Sequence, residues 1–502
     1  MNDENSYNLI DEPWIPVLMR DGTNQSVSLN AVFSDTDGTI ADLALNPYER
    51  VAVFRLLLCI AQAALGPTLL NDEAGWLAAK NNVGLVTVDY LKKWHGRFFL
   101  YGPHAFLQPD DVTHINEASF KPDSTLVFEL ASGNNSTLFD HAAVDSLRLI
   151  SKPVIIISFL TYQNFSANGL SGKCLWSGQE TEKSVKGAPC REQSMLFTIL
   201  CGNSLIESIW LNLLTSEQVV RRLNTEWGNP AWELNSLSRL ESVQLPQTFL
   251  GHLVPLARVI KFKSGSQKCI IGGGQAYPQL PAWREQMASV KTKDDGSPTY
   301  ISVNPACMPW RDLSSILAVN GTGGQKGAIV LQHIESLPEE KYFTIWTGGI
   351  KWEPGQAKLI DTVEWTATLS VSLLEESRLQ CYENAIKIAG NQQSNLRYGV
   401  KTYAGILKVD DASRFYIPAE RIYWDILARI ENQKLVLSVD SQTYKDDWRK
   451  ATRMAAEEAY RRVCQSVTAR QMEAFSQGFS KLWLGKNEEA WYDSAESRQS
   501  QN

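Results

Sequence analysis

Thr443-Tyr444-Lys445-Asp446-Asp447-Trp448-Arg449-Lys450-Ala451-Thr452-Arg453-Met454-Ala455-Ala456-Glu457-Glu458-Ala459-Tyr460-Arg461-Arg462-Val463 decides the architecture of this chain. Thr443 and Asp446 stand three apart, the spacing of a capping box that opens a helix. Trp448, Thr452, Ala455, Ala459 and Val463 then recur at helical period and line one face. The other face carries Glu457 with Arg461 and Glu458 with Arg462, pairs at i,i+4 that suit a solvated surface. A helix with one apolar face has to pack that face on something, so its neighbours should be helices of the same kind.

They are found on both sides. Val371, Leu374, Cys381, Ala385 and Ile388 fall on one helical stripe, interrupted by Arg378. Pro418 suits the first turn of a helix carrying Ile422, Ile426 and Ile430. Thr468 with Gln471 is a second cap, opening a helix that ends near Gly485. Four helices with short connections predict a C-terminal four-helix bundle over 366–502, with a frayed polar tail from Asn487. This part holds 19 Lys and Arg against 18 Asp and Glu, whereas the remainder holds 29 against 37. The bundle is therefore the relatively basic part, on an overall net charge of −7.

Residues 1–365 read differently, as a mixed α/β domain, so that the whole chain is α+β. Asn8 to Leu18 is extended and pinned by Pro13 and Pro16, with Trp14 as its anchor into a core. Arg20-Asp21-Gly22 is a turn from which Ser26 to Leu29 can pair back. Glu49 to Leu65 is a core helix stopped by Gly66-Pro67. Leu130 to His141 centres on Ser132-Gly133-Asn134-Asn135-Ser136, a polar, turn-forming surface loop. Its Phe139 either tucks back into the parent domain or meets a partner. Pro153 to Tyr162 is a buried apolar segment leading into a second turn-rich loop, Phe165 to Lys173. Leu253 to Lys263 contains a strand, followed by a hairpin-like turn ahead of Lys268. Thr347 to Ala357 holds Gly348-Gly349 and then the turn Glu353-Pro354-Gly355-Gln356-Ala357. Helices and short strands do not alternate regularly, which argues against a doubly wound sheet.

Composition narrows the functional classes. The 502 residues exceed one hydrophobic core and call for more than one domain. Hydrophobic content of 44% with 21% charged residues is that of a globular protein, and sixteen Trp imply large cores or partner surfaces. The eight Cys form no C-x-x-C pair, as expected of reduced cytoplasmic thiols. Leu56 to Leu65 is too short an apolar run to span a bilayer, and no membrane partner is expected. The six His share no metal-ligand spacing, so neither metal nor cofactor is expected. Gly321 to Gly327 lacks the frame of a phosphate-binding loop. A stand-alone nucleotide-dependent enzyme using that loop is the alternative reading, but no constellation of catalytic groups accompanies it.

Asn8-Leu9-Ile10-Asp11-Glu12-Pro13-Trp14-Ile15-Pro16-Val17, Glu129 to His141, and the succession of segments to the C-terminal helices resemble the CasA family. CasA is the large subunit of Cascade, the type I-E CRISPR surveillance complex. The resemblance implies a non-catalytic protein that sits with other Cascade subunits near the 5′ handle of the CRISPR guide RNA. It implies reading of the protospacer-adjacent motif (PAM) in target double-stranded DNA, help in opening the duplex, and recruitment of the helicase–nuclease. That division suits guided recognition, in which protein reads a short motif and base pairing reads the rest. By the same resemblance Ala131, Ser132, Gly133, Asn134, Asn135, Ser136, Thr137, Leu138 and Phe139 form the handle-contacting loop, with Phe139 its aromatic. Ala167, Asn168 and Gly169 fall at the family's minor-groove glycine loop, with Asn168 where relatives often have Gly. Gln356 matches the glutamine wedge. Lys268, with Lys263 in reserve, matches the lysine finger. A cysteine cluster found in some relatives is absent.

Overall fold

The computed structural model describes residues 7–130, 149–305, 307–318, 326–337, 341–353, 359–437 and 444–483. Its contacts divide the chain into two units, Met1–Val371 and Ser372–Asn502.

The first unit is organised on the helix Pro47–Leu69. Asn46 and Glu49 form its capping box, and Pro47 occupies the first turn, where a missing N–H costs nothing. Gly66, at φ 71°, breaks the helix as Gly66-Pro67 predicted, and a further turn follows the kink. By length and composition this helix could cross a membrane, yet most of it is buried inside the unit. It carries polar side chains into the core, where they find partners far along the chain. Arg55 reaches the carboxylate of Glu285 at 2.5 Å and donates to the His252 carbonyl. Gln62 both donates to and accepts from the backbone of Leu214.

The first unit also carries short antiparallel sheets. Ile15–Met19 lies between Asn24–Val27 and Ile40–Leu43, and Trp14 beside it is fully buried with its indole N–H on the Leu9 carbonyl at 2.9 Å. Arg258–Lys263 pairs with Lys268–Gly273, which pairs in turn with Phe120–Pro122. Phe197–Cys201, Tyr342–Trp352 and Leu359–Ser370 form the third sheet. The segment after Lys152 is helical, Lys152–Phe165, with Ile155, Ile156 and Phe159 in the core.

Gly348-Gly349 lies within the strand Tyr342–Trp352, where it packs against bulky neighbours. A Cβ at Gly348 would lie 2.4 Å from the Trp346 ring, and one at Gly349 would lie 2.9 Å from the Met195 carbonyl oxygen. The strand Leu359–Ser370 also carries sheet structure past Thr366, so Val371–Leu374 is a 3-10 turn and not the start of the helix.

The second unit is helical. The 31-residue helix Glu376–Ile406 packs on Ser413–Leu427, Tyr444–Val463 and Ala469–Ser480, and Ser413–Leu427 also packs on Tyr444–Val463. A short helix, Ile430–Leu437, makes five among the described residues where four were expected. The buried stripe of Glu376–Ile406 runs through Tyr382, Ala385, Ala389, Leu396 and Tyr403, so Cys381 and Ile388 sit at its margin. Pro418 lies inside its helix, which opens at Ser413 where the Asp411 carboxylate accepts the backbone N–H at 2.9 Å. Trp448, Thr452, Ala455 and Ala459 are buried as their spacing predicts, while Val463 is half-buried. Thr443 falls outside the described residues.

Aromatic side chains lock these helices through their polar tips. Trp448 donates to the Ala385 carbonyl at 2.7 Å and Tyr423 to Ala389 at 2.8 Å. Glu376–Ile406 and Ala469–Ser480 meet where Gly399 faces Gly478, and a Cβ on Gly399 would lie 2.6 Å from the Gly478 carbonyl oxygen.

Candidate nucleic-acid interface

Ala167, Asn168 and Gly169 follow directly on the Lys152–Phe165 helix. Ser166 closes that helix with its N–H on the Tyr162 carbonyl at 3.0 Å. The chain then turns at Gly169, whose φ of 117° suits glycine, and Gly169–Leu170 pairs antiparallel with Ser184–Val185. Ala188 N–H donates to Ser166 at 2.9 Å and Ser171 N–H to Lys183 at 2.8 Å. The loop is thus one arm of a two-armed projection, residues 166–171 against 183–188. Asn168 and Leu170 are exposed on the first arm, and Lys183 and Lys186 on the second. Gly187 lies beside Asn168 across the two arms, and a Cβ there would meet the Asn168 Cβ at an ordinary 3.8 Å.

Two arginines lie beneath. Arg258, only 3% exposed, donates through Nη2 to the carbonyls of Ala167 and Lys186, the latter at 3.0 Å, and through Nη1 to Ala257 at 2.6 Å. Arg191 donates to the Phe165 carbonyl at 3.4 Å and stacks over the Trp352 ring at 4.0 Å. Burial, and then the neighbouring Arg258, push the Arg191 guanidinium down to about 10. Burial likewise lowers Arg258. Arginine keeps its proton in folded proteins, so both guanidinium groups carry charge.

The loop Ala131–Phe139 and Gln356 lie outside the described residues, but their flanks are defined. Phe128, close before the first, meets Trp352 at 5.1 Å and stacks on Tyr162 at 5.7 Å. Trp352 ends the strand that leads toward Gln356, and its N–H donates to Ser194 Oγ at 3.2 Å. Residues that lead in sequence toward three sequence-predicted segments therefore meet in one cluster of Phe128, Tyr162, Trp352 and Arg191.

Lys268 sits apart from that cluster. It opens the strand Lys268–Gly273 directly across from Lys263, and both are exposed. Lys263 lies 4.6 Å from the Phe120 ring. Arg258 is at the other end of the same strand, about 17 Å away at roughly 3.3 Å per residue. Gln267 links this end to the return of the 131–148 segment by bonds of 3.0 and 3.1 Å to the Ile150 backbone.

Arg258, Arg191, Lys183 and Lys186 had no place in the sequence reading. Lys183-Ser184-Val185-Lys186-Gly187 has the turn-rich, basic character that could have marked the second arm. Nothing local marks the two arginines, because their partners lie far away in the chain. Among the described residues no group of three His, Cys, Asp or Glu could hold a metal ion.

A family model described as CRISPR-associated protein Cse1 matches residues 8–459. The chain belongs to the Cse1 family. It is 28% identical to the CRISPR-associated protein CasA/Cse1 of Thermus thermophilus, over 94% of this chain and 95% of that one. A crystal structure of Thermus thermophilus CasA superposes with a TM-score of 0.75 at 25% identity, covering 95% of this chain and 98% of the other. Thermobifida fusca Cse1 shares the fold, with a TM-score of 0.78 at 18% identity over 96% and 98%. Within the Cse1 fold, Ala167–Gly169 is thus a braced projection, and the Lys263/Lys268 pair is a second basic point at the far end of a shared strand.

Proposed function

We propose that this chain is the non-catalytic large subunit of a type I-E CRISPR RNA-guided surveillance complex. In this role it reads the PAM of target double-stranded DNA through Ala167, Asn168 and Gly169. Lys268 supports the contact, and Gln356 helps part the strands. Ala131 to Phe139 contact the 5′ handle of the guide RNA, the bundle and other surfaces meet further Cascade subunits, and a helicase–nuclease is recruited to the opened target.

Besides family membership, one observation supports the reading. Trp352 meets both Phe128 and Arg191, and Arg191 donates to the Phe165 carbonyl, so residues that lead in sequence toward the segments suited to guide, wedge and PAM contacts share one cluster. A minor-groove reader needs backbone close to the base edges, and the turn at Gly169 suits that approach. Asn168 adds a side chain there, so the tolerated PAM set should differ from that of a relative with Gly at this position.

The test is binding by the complex assembled with guide RNA and this subunit, on duplexes with and without candidate PAMs. The expected result is preference for a PAM-containing duplex, with affinity falling as salt rises. The isolated chain, net −7, should bind weakly and with little sequence preference. Equal affinity of the full complex for every flanking sequence would remove the PAM-reading role.

A further inference from the structure

The buried guanidinium of Arg258 holds both arms of the Ala167–Gly169 projection, and we infer that Arg258 is the positioning residue that sets PAM discrimination. This rests on the proposed PAM reading of that loop and adds the group that fixes its shape.

The geometry is specific. One nitrogen, Nη2, donates to Ala167 on the first arm and to Lys186 on the second, while Nη1 is held by Ala257. The backbone of Arg258 is itself fixed by Gln163, which donates to its carbonyl and accepts its N–H, each at 2.8 Å. Gln163 belongs to the helix that feeds the loop. The clamp therefore ties together the helix, the strand and both arms. The ladder between the arms is only two residues long, Gly169–Leu170 on Ser184–Val185, and a ladder that short has little rigidity of its own. Both arms present carbonyls to the guanidinium, at Ala167 and Lys186, which fixes the peptide plane that precedes exposed Asn168 and the Lys186–Gly187 plane on the opposite arm. Readout of a minor groove depends on placing backbone to within a fraction of an ångström, so the clamp controls discrimination without touching DNA.

The side-chain chemistry admits no simple substitute. Arginine offers a planar fork of donors and stays charged when buried, whereas a lysine at this site keeps the charge but delivers it from a single point. Arg258→Lys should therefore separate geometry from charge. Arg258→Gln removes the charge and keeps some donor capacity.

The experiment assembles wild-type, R258K and R258Q subunits into the guide-RNA complex and measures affinity for PAM and non-PAM duplexes, with thermal unfolding as the fold control. The expected result is assembly with unfolding within a few degrees of wild type. The PAM to non-PAM affinity ratio should fall about tenfold, the scale of one charge-assisted hydrogen bond, with non-PAM affinity unchanged in R258K. Unchanged ratios in assembled variants would overturn the assignment. So would a parallel loss on both duplexes, or failure of both variants to assemble, since either would make Arg258 a general fold residue. If the wild-type complex itself shows no PAM preference, the proposed function fails first, and that outcome is distinct from a discriminating wild type with insensitive variants.

Discussion

The two units solve the problem of holding a core in opposite ways. In Ser372–Asn502 the contacts repeat at helical period, so once Trp448 is seated, Thr452, Ala455 and Ala459 follow in register. In Met1–Val371 many ties occur once and join distant residues. Arg55 finds Glu285 across 230 positions, Gln62 finds Leu214 across 152, and Trp76 and Trp210 exchange indole-to-carbonyl bonds across 134. Repetition spreads stability over many equivalent contacts, whereas single ties concentrate it. Breaking one tie in the first unit should therefore cost more than breaking one local feature in the second.

The strongest form of that contrast is Arg55→Met. It strands the Glu285 carboxylate, 6% exposed, without its partner. It also leaves the His252 carbonyl without the guanidinium donor. Removing one member of a buried ion pair costs about 3–5 kcal/mol. In urea denaturation R55M should lose that much, and peptide-resolved hydrogen exchange should show the loss across Pro47–Leu69 and Phe249–Leu253. Protection of Glu376–Ile406 should hold. Equal loss of protection in both units would erase the distinction.

A second contrast is acid sensitivity. All six histidines lie in the first unit's sequence range. His333 is buried, stacked on Trp76 at 4.2 Å, and burial pushes its pKa down from 6.5 to about 4. A depressed histidine stabilises the fold above pH 6.5, and that contribution is lost as pH falls towards 4, where the unfolded chain binds the proton first. Two carboxyls act in the other direction. Burial pushes Glu192 up to about 7, against the hydrogen bond from Leu280 N–H, and pushes Asp123 up to about 6, against its bond to Cys269. Their contributions are full at low pH and lost as pH rises through those values. His333→Phe isolates the first effect, because it keeps an aromatic ring and removes the titration. Wild-type stability minus that of H333F should fall by on the order of 3 kcal/mol between pH 7 and pH 4. A difference independent of pH would mean that the imidazole already titrates freely in the fold.

The same contrast explains what could be read in the chain. Helical period and caps are local signals, so Trp448 to Ala459, the Thr468–Gln471 cap and the Gly66-Pro67 break were legible. The stripe of Glu376–Ile406 was misplaced by one position, because Ala and Gly on its buried side carry little hydrophobic signal beside Cys381 and Ile388. Gly348-Gly349 carried no readable assignment, because a glycine pair is ambiguous until the Trp346 ring and the Met195 carbonyl are seen to crowd against it. At the candidate interface, the turn-rich loop at Ala167–Gly169 stood out. The clamp beneath it did not, since Arg258 simply opens a strand and its partners at Ala167 and Lys186 are backbone carbonyls with no sequence signature.

The smallest effect tests the local side of the comparison. Thr468 opens the helix Ala469–Ser480 with a reciprocal pair. Its hydroxyl accepts the Gln471 N–H at 3.2 Å, and the Gln471 side chain accepts the Thr468 N–H at 3.0 Å. Thr468→Ala leaves a single helix-end donor to find water, which is available because the cap is exposed. Loss of an N-cap costs about 1 kcal/mol, so T468A should shift the urea midpoint slightly and leave the slope unchanged. Fraying should be confined to the first turn. Further along, Ala474 and Gly478 are buried, and Tyr460 still donates to the Phe475 carbonyl at 3.1 Å. Hydrogen exchange should therefore quicken for the amides after Thr468 and stay slow near Gly478. A loss as large as that of R55M, spreading along the whole helix, would show that this cap is itself a single tie on which the second unit depends.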